Sequence, residues 1–238
     1  MYLERSSFCS ILSPGDDDAF EQREVYSICC SKVSPWHEAL IRGTDIIIVC
    51  LALILFMPLM IVVALGVVIS DRGPIFFKQD RLGKGGQLFR CYKFRTMVVD
   101  ANVRLKELLA SDPEARAEWA RDHKLKKDPR TTRFGEFLRK SSLDELPQLF
   151  NVLKGDMSIV GPRPIVLEEM VRYRRYFREY CSVRPGITGL WQVSGRNHVS
   201  YRRRVAMDVC FVRSRSFWLH LRIMAATIPS VGLARGAF

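Results

Sequence analysis

The stretch IIIVCLALILFMPLMIVVALGVVI, residues 46–69, carries no charged side chain, and Arg42 and Asp45 before it and Asp71 and Arg72 after it mark its ends. As one straight helix it extends roughly 36 Å at 1.5 Å per residue, against a hydrocarbon core of about 30 Å. A run this long and uniform reads as a membrane-inserted helix rather than the core helix of a soluble domain. Pro58, in its middle, removes a backbone donor and bends a helix sharply unless the break is repaired. Two paths follow. A kinked helix crosses the bilayer once, or the chain dips in, turns at Met57-Pro58 and returns with every charge on one face. Basic residues flank both ends, so the positive-inside rule does not choose between them.

Working outward, 238 residues with 48% apolar content suffice for one modest domain with appendages. A formal net charge of +12 points to an anionic partner: nucleic acid, an acidic membrane surface or a phosphorylated substrate. Seven scattered cysteines without paired CxxC spacing read as reduced thiols, not a disulfide frame or zinc site. No cleavable signal peptide is expected, since Glu4 and Arg5 are followed by no apolar run before Asp16-Asp17-Asp18. The chain therefore divides into a flexible tail (1–35), a membrane-inserted helix broken at Pro58 (36–72) and a cytoplasmic catalytic domain (73–238).

Past the membrane segment, Ile75-Phe76-Phe77 and Leu88-Phe89-Arg90-Cys91 flank Gly83-Lys84-Gly85-Gly86 as a β-hairpin. A glycine-rich hairpin turn explains these glycines better than a phosphate loop, because no Walker lysine follows. Residues 98–127 have helical periodicity in two segments, with Asp112 as the cap between them and Pro113 as first helical residue. Arg172, Arg174, Arg175 and Arg178 make the stretch Tyr173–Tyr180 a basic helix, solvated or facing anionic headgroups.

The chemistry concentrates at Ser142-Leu143-Asp144-Glu145-Leu146-Pro147, directly after Arg139-Lys140. Ser142 and Glu145 have capping-box spacing, so a helix is predicted to start at Ser142, and a helix start favours both ionised carboxylates and phosphate. Pro147 sits too far into such a helix, which predicts irregular local geometry. Lys93, Arg95, Arg139 and Arg163 add positive charge from separate segments.

Three blocks, GPIFFKQDRLGKGGQLFRCYKFRTM (73–97), DPRTTRFGEFLRKSSLDELPQLFNVLKGDMSIVGPRP (128–164) and RPGITGLWQVSGRN (184–197), follow the membrane segment. Together they resemble the bacterial sugar transferases, monotopic polyprenyl-phosphate hexose-1-phosphate transferases, from about Arg42 to the C-terminus. The helical insert before DPR is similar to the subgroup that starts exopolysaccharide synthesis, as for succinoglycan. The resemblance implies transfer of hexose 1-phosphate, glucose or galactose, from a UDP-sugar to undecaprenyl phosphate with release of UMP, assisted by Mg²⁺. It makes Asp144 the nucleophile, forming an aspartyl phospho-sugar intermediate, and Glu145 its neighbour in catalysis, with Asp144 and Glu145 at the metal. It matches Lys93, Arg139 and Arg163 to basic motif positions that bind phosphate, and Arg95 joins them by its charge as an expected substrate ligand. It also favours the re-entrant path, on the cytoplasmic face of the inner membrane. The fold expected is therefore α+β: mostly helical, with a small β-hairpin and an N-terminal re-entrant membrane helix.

Two departures from the family pattern stand out. Met57-Pro58 replaces the usual Ser-Pro, removing a hydroxyl that bonds freed carbonyls, and His220 stands where Asp is usual and is expected to be structural. Trp191 is expected to pack in the core. The expected partners are the two substrates and membrane lipids, with self-association into a homo-oligomer open and no nucleic-acid motif. The rival reading is a catalytically silent membrane adaptor that recruits partners through its basic surface.

Overall fold

The computed structural model describes residues 35–122, 125, 128–194 and 199–232. The chain separates into two units, 1–32 and 33–238, and only the second contains described residues. The tail expected over 1–35 lies outside them except for Pro35.

Helix α1, Pro35–Ser70, is one element of 36 residues and is long and apolar enough to cross a membrane. Pro58 falls inside it, so the expected break at Met57-Pro58 is not a loop between two helices. Proline costs one backbone bond there, and side chains packed on both sides of it hold the helical path. Ile41, Val49 and Leu53 before Pro58, and Met60, Val63 and Val67 after it, are buried at helix-compatible steps. The remaining faces expose Ile47, Leu51, Ile54, Leu55, Ile61, Val62, Leu65 and Ile69. Such a length of uncovered apolar surface is what a bilayer, not water, would solvate.

Strands β1 (Phe76–Leu82) and β2 (Leu88–Phe94) form the expected hairpin, antiparallel from Phe76↔Phe94 to Leu82↔Leu88. Both run further than their apolar residues suggest, because polar cross-strand neighbours such as Asp80↔Arg90 extend the ladder. Gly85 and Gly86 take positive φ at the turn, and Lys84 pairs with Glu38 at 3.0 Å, so this loop is built as a turn. Helices α2 (Ala101–Ser111) and α3 (Pro113–Asp122) follow, with Asp112 Oδ1 accepting from the N–H groups of Glu114 and Ala115. Next come α4 (Arg133–Ser141), α5 (Gln148–Lys154) and the short strand β3 (Ser158–Val160). The basic stretch is not one helix. It is α6 (Met170–Tyr173), a tight turn at Arg174 with φ 48°, and α7 (Phe177–Cys181), its four arginines exposed.

Strand β4 (Gly186–Thr188) pairs in parallel with β3, where a Cβ on Gly186 would stand 2.0 Å from the Gly161 nitrogen. Glycine is therefore required by backbone packing at that point. Helices α8 (Leu190–Ser194), α9 (Tyr201–Arg213) and α10 (Phe217–Gly232) complete the order. The main core joins the buried face of α1 to Cys91 and Phe94 of β2, Leu138 of α4, Val152 of α5 and Met157. Each such fully buried aliphatic side chain contributes roughly 1.5–3 kcal/mol. Trp191 packs inside, as expected, with the Arg204 guanidinium 4.6 Å from its ring centre.

Both ends of α1 are tied to this one body. At its start, Arg42 donates to the carbonyls of Val152 (2.7 Å) and Leu153 (3.0 Å), capping α5. Asp45, 1% exposed, accepts from Ser158 Oγ at 2.6 Å and faces His220 Nε2 at 3.0 Å. At its end, Asp71 pairs with Arg95 at 2.6 Å and accepts from the Val99 N–H. His220 is structural, and in place of a second carboxylate it gives Asp45 a favourable partner. His220→Ala leaves Asp45 buried without that partner and is expected to cost about 3 kcal/mol, read as a lowered melting temperature in detergent.

Candidate active site

The pair Asp144-Glu145 stands at a break in helical structure. Thr132 caps α4, its hydroxyl accepting from the Gly135 N–H at 2.9 Å, and the helix ends at Ser142 in the left-handed conformation, φ 57°. The predicted capping box does not form: the Ser142 side chain makes no cap bond, and its N–H instead closes α4 on the Leu138 and Arg139 carbonyls. Leu143–Glu145 make one 3₁₀ turn, and Pro147 precedes α5. Proline would clash one turn back in a helix begun at Ser142, so the chain restarts after it. The irregularity predicted from Pro147 is present, with strain at Ser142 adjoining the acidic pair. Ser142→Gly is expected to raise unfolding stability by about 1 kcal/mol, measured by thermal melting, because glycine adopts this φ freely.

Asp144 is 8% exposed, and Glu145 is half-buried. Lys93, reaching in from β2, places Nζ 2.6 Å from Glu145 Oε1 and 3.8 Å from Asp144 Oδ2. Burial pushes the Asp144 carboxyl above the usual aspartate range, helped by the Glu145 charge and opposed by Lys93 and Arg139. Burial also acts upward on Glu145, but Lys93, Arg163 and Arg81 outweigh it, and its net shift is downward. Adjacent carboxyls are thereby driven apart, the pattern that separates roles at an active site.

Arg139 is held by Thr96 Oγ1 at 2.9 Å and Thr131 Oγ1 at 3.3 Å, close enough to favour the Asp144 carboxylate. Arg163 is exposed and lines the cleft beside Lys93 and Glu145. Arg95 is not brought to this cluster. Its buried guanidinium is taken up by Asp71 and, at 2.7 Å, the Pro74 carbonyl, where it fastens the end of α1.

Sequence reasoning passed over three contributors. Arg81, on β1, lines the cleft opposite Glu145. Gln148 lines it one turn beyond the acidic pair. Asn151, fully buried, accepts from the Tyr92 N–H (3.0 Å) and donates to the Arg90 carbonyl (2.8 Å), pinning β2 to α5 and so fixing Lys93 against the carboxylates. Polar residues at 148 and 151 amid Leu149, Phe150, Val152 and Leu153 were the available signal.

Two carboxylates thus converge on a single cationic atom within a basic cleft. Carboxylates supplemented by phosphate oxygens are a donor set that Mg²⁺ uses, so Asp144 and Glu145 suit that ion when a diphosphate is bound. Among the described residues no further His, Cys, Asp or Glu joins them as a three-ligand group.

A profile of the bacterial sugar transferases matches residues 36–233, a span that includes α1, the hairpin and the acidic pair. The chain belongs to the bacterial sugar transferase family. It is similar to the undecaprenyl-phosphate galactose phosphotransferase of Salmonella typhimurium, with 52% identity over 83% of this chain and 41% of that protein. It is also similar to the exopolysaccharide production protein ExoY of Sinorhizobium fredii, at 49% over 83% of this chain and 87% of that protein. The UDP-glucose:undecaprenyl-phosphate glucose-1-phosphate transferase of Xanthomonas campestris is 42% identical over 79% of this chain and 37% of its own length. The chain thus spans about two fifths of several of these relatives, among them the Salmonella protein, and nearly all of ExoY.

Proposed function

We propose that this bacterial sugar transferase moves hexose 1-phosphate from a UDP-hexose to undecaprenyl phosphate, starting exopolysaccharide assembly at the cytoplasmic face of the inner membrane. The observation that carries the reading is Asp144: a buried carboxylate, made more basic by burial, facing Lys93 and Arg139. An Asp144 oxygen attacks the β-phosphorus of the donor, and the bond from that phosphorus to the bridging oxygen breaks, releasing UMP. A phosphate oxygen of the lipid then attacks the same phosphorus, freeing the Asp144 carboxylate and leaving a lipid diphosphate-linked hexose. Two in-line displacements replace one encounter between two polyanions. Lys93, Arg139 and Arg163 neutralise the phosphates as charge moves among them, with Arg81 beside them. Arg95 keeps the end of α1 in place. Bound Mg²⁺, held by Asp144 and Glu145, would offset diphosphate charge.

A path that keeps both ends of α1 on one side of the membrane, with any bend at Pro58 taken up inside the helix, is supported by the ties at its two ends. Asp45 and Asp71 bracket the apolar segment, yet both bond to the globular body, through His220 and Ser158 and through Arg95. A helix that crossed the bilayer would carry one of these ends away from it. The test of function is UMP release in detergent with Mg²⁺, undecaprenyl phosphate and a panel of UDP-hexoses. Release that requires both donor and lipid is the expected result, and none from folded protein favours the adaptor.

A further inference from the structure

The cations of the cleft account for phosphates, but two neutral amides lining it have no role in that chemistry. Gln148 is 4% exposed and lines the cleft with no hydrogen-bond partner for its side chain among the described residues. Gln192, on α8 across the cleft, donates from Nε2 to the Ile187 carbonyl at 3.1 Å, which leaves its buried Oε1 without a partner. A buried amide oxygen left unpaired, as Gln192 Oε1 is, is costly unless a ligand completes it, and the Gln148 amide is free to bond a ligand in the cleft. Both glutamines stand on or beside fixed backbone: α5, which carries Gln148, is pinned to β2 through Asn151, and α8, which carries Gln192, follows Gly189, where a Cβ would stand 2.4 Å from the Gly161 carbonyl oxygen.

We propose that Gln148 and Gln192 form a neutral subsite that reads hydroxyl groups of the donor hexose and sets which UDP-hexose is used. The inference rests on the transferase reading above. An amide offers both a donor and an acceptor, the complement of a sugar hydroxyl. Position relative to the chemistry selects the hexose over the base. Gln148 lies four residues beyond Asp144 and shares the cleft lining with Lys93 and Glu145, the two groups beside the Asp144 carboxylate. The hexose is bonded through one oxygen to the phosphorus that Asp144 attacks, whereas uracil is separated from it by a further phosphate and the ribose. The cleft lining includes no aromatic ring among the described residues, so it offers no stacking surface for a base. Sites that pair with a substrate hydroxyl discriminate against its absence far more strongly than apolar pockets do.

The test pairs variants with altered donors. The full chain in detergent, as wild type, Gln148→Leu and Gln192→Leu, is assayed for kcat/KM with UDP-glucose, UDP-galactose and monodeoxy analogues of the preferred hexose, with melting curves to confirm folding. In the wild type, one deoxy donor is expected to lose about 10- to 100-fold. In at least one variant, the full donor loses a similar factor, removal of that hydroxyl costs nothing more, and the ratio between the two hexoses narrows. An active wild type whose folded variants keep both the hexose ratio and the full deoxy penalty overturns the subsite while leaving the transferase reading intact. A folded wild type that releases no UMP from any donor overturns both. If Gln148→Leu fails to fold, Gln192→Leu alone decides, since the coupling to a particular hydroxyl is not moved by a merely structural role.

Discussion

Asp144→Asn is expected to abolish UMP release, by on the order of 10⁴-fold in kcat, the scale of removing a covalent nucleophile. The amide keeps the shape of the carboxylate but has no nucleophilic oxygen. Glu145 cannot replace it, because its carboxylate is engaged by Lys93 at 2.6 Å and is held below the usual glutamate range, a poorer nucleophile. Stability is expected to move the other way. The folded-state pKa of Asp144 is raised, so its contribution to stability is present below its unfolded pKa and lost as pH rises through the folded one. At neutral pH the buried charge is therefore a cost, and the neutral amide should melt at the same temperature or higher. Loss of activity with retained or increased melting temperature separates a catalytic from a structural aspartate. Unfolding of this variant would contradict the account.

Lys93→Met is expected to have the next largest effect, about 10²- to 10³-fold in kcat/KM. It removes the cation that both carboxylates share and leaves them side by side. Among the influences on Asp144, Lys93 is the foremost that lowers its pKa against burial. Without it the Asp144 pKa rises further, so the acid limb of the rate profile must move to higher pH. The Glu145 pKa must also rise, since Lys93 leads the influences that lower it. A kcat/KM profile across the acid range measures the shift. An acid limb that stays in place, or moves to lower pH, would show that Lys93 does not control the ionisation of Asp144.

The parts of this fold that could be read from sequence are those set by local chemistry. The apolar run gave α1, Asp112-Pro113 the junction of α2 and α3, and the glycine cluster the hairpin turn. The misreadings arose where distant segments decide. Ser142 has capping-box spacing, but whether it starts one helix or closes another depends on where α4 already runs. Pro58 lies inside one helical element, and a proline by itself does not say whether the chain bends or leaves the helix there. At the site, Asp144, Glu145, Lys93, Arg139 and Arg163 were named from the family resemblance, and the structure brings their segments together. Arg95, of the same charge and in the same motif, is two residues from Lys93 and bonds to Asp71 instead. Composition could not separate these two cations. Gln148, Asn151 and Gln192 were passed over because an uncharged amide gives no sign of chemistry until its partners, or their absence, are seen.

The central claim is that phosphorus passes through a covalent bond to Asp144. The direct measurement incubates the purified chain with Mg²⁺ and its UDP-hexose in the absence of lipid acceptor, quenches in acid, and determines intact and peptide masses. The account predicts an added hexose phosphate on the peptide containing Asp144, formed with stoichiometric UMP, absent from Asp144→Asn and discharged by undecaprenyl phosphate. Turnover with lipid present but no adduct, and no UMP burst without lipid, would mean that the lipid attacks the donor directly and that Asp144 is not the nucleophile.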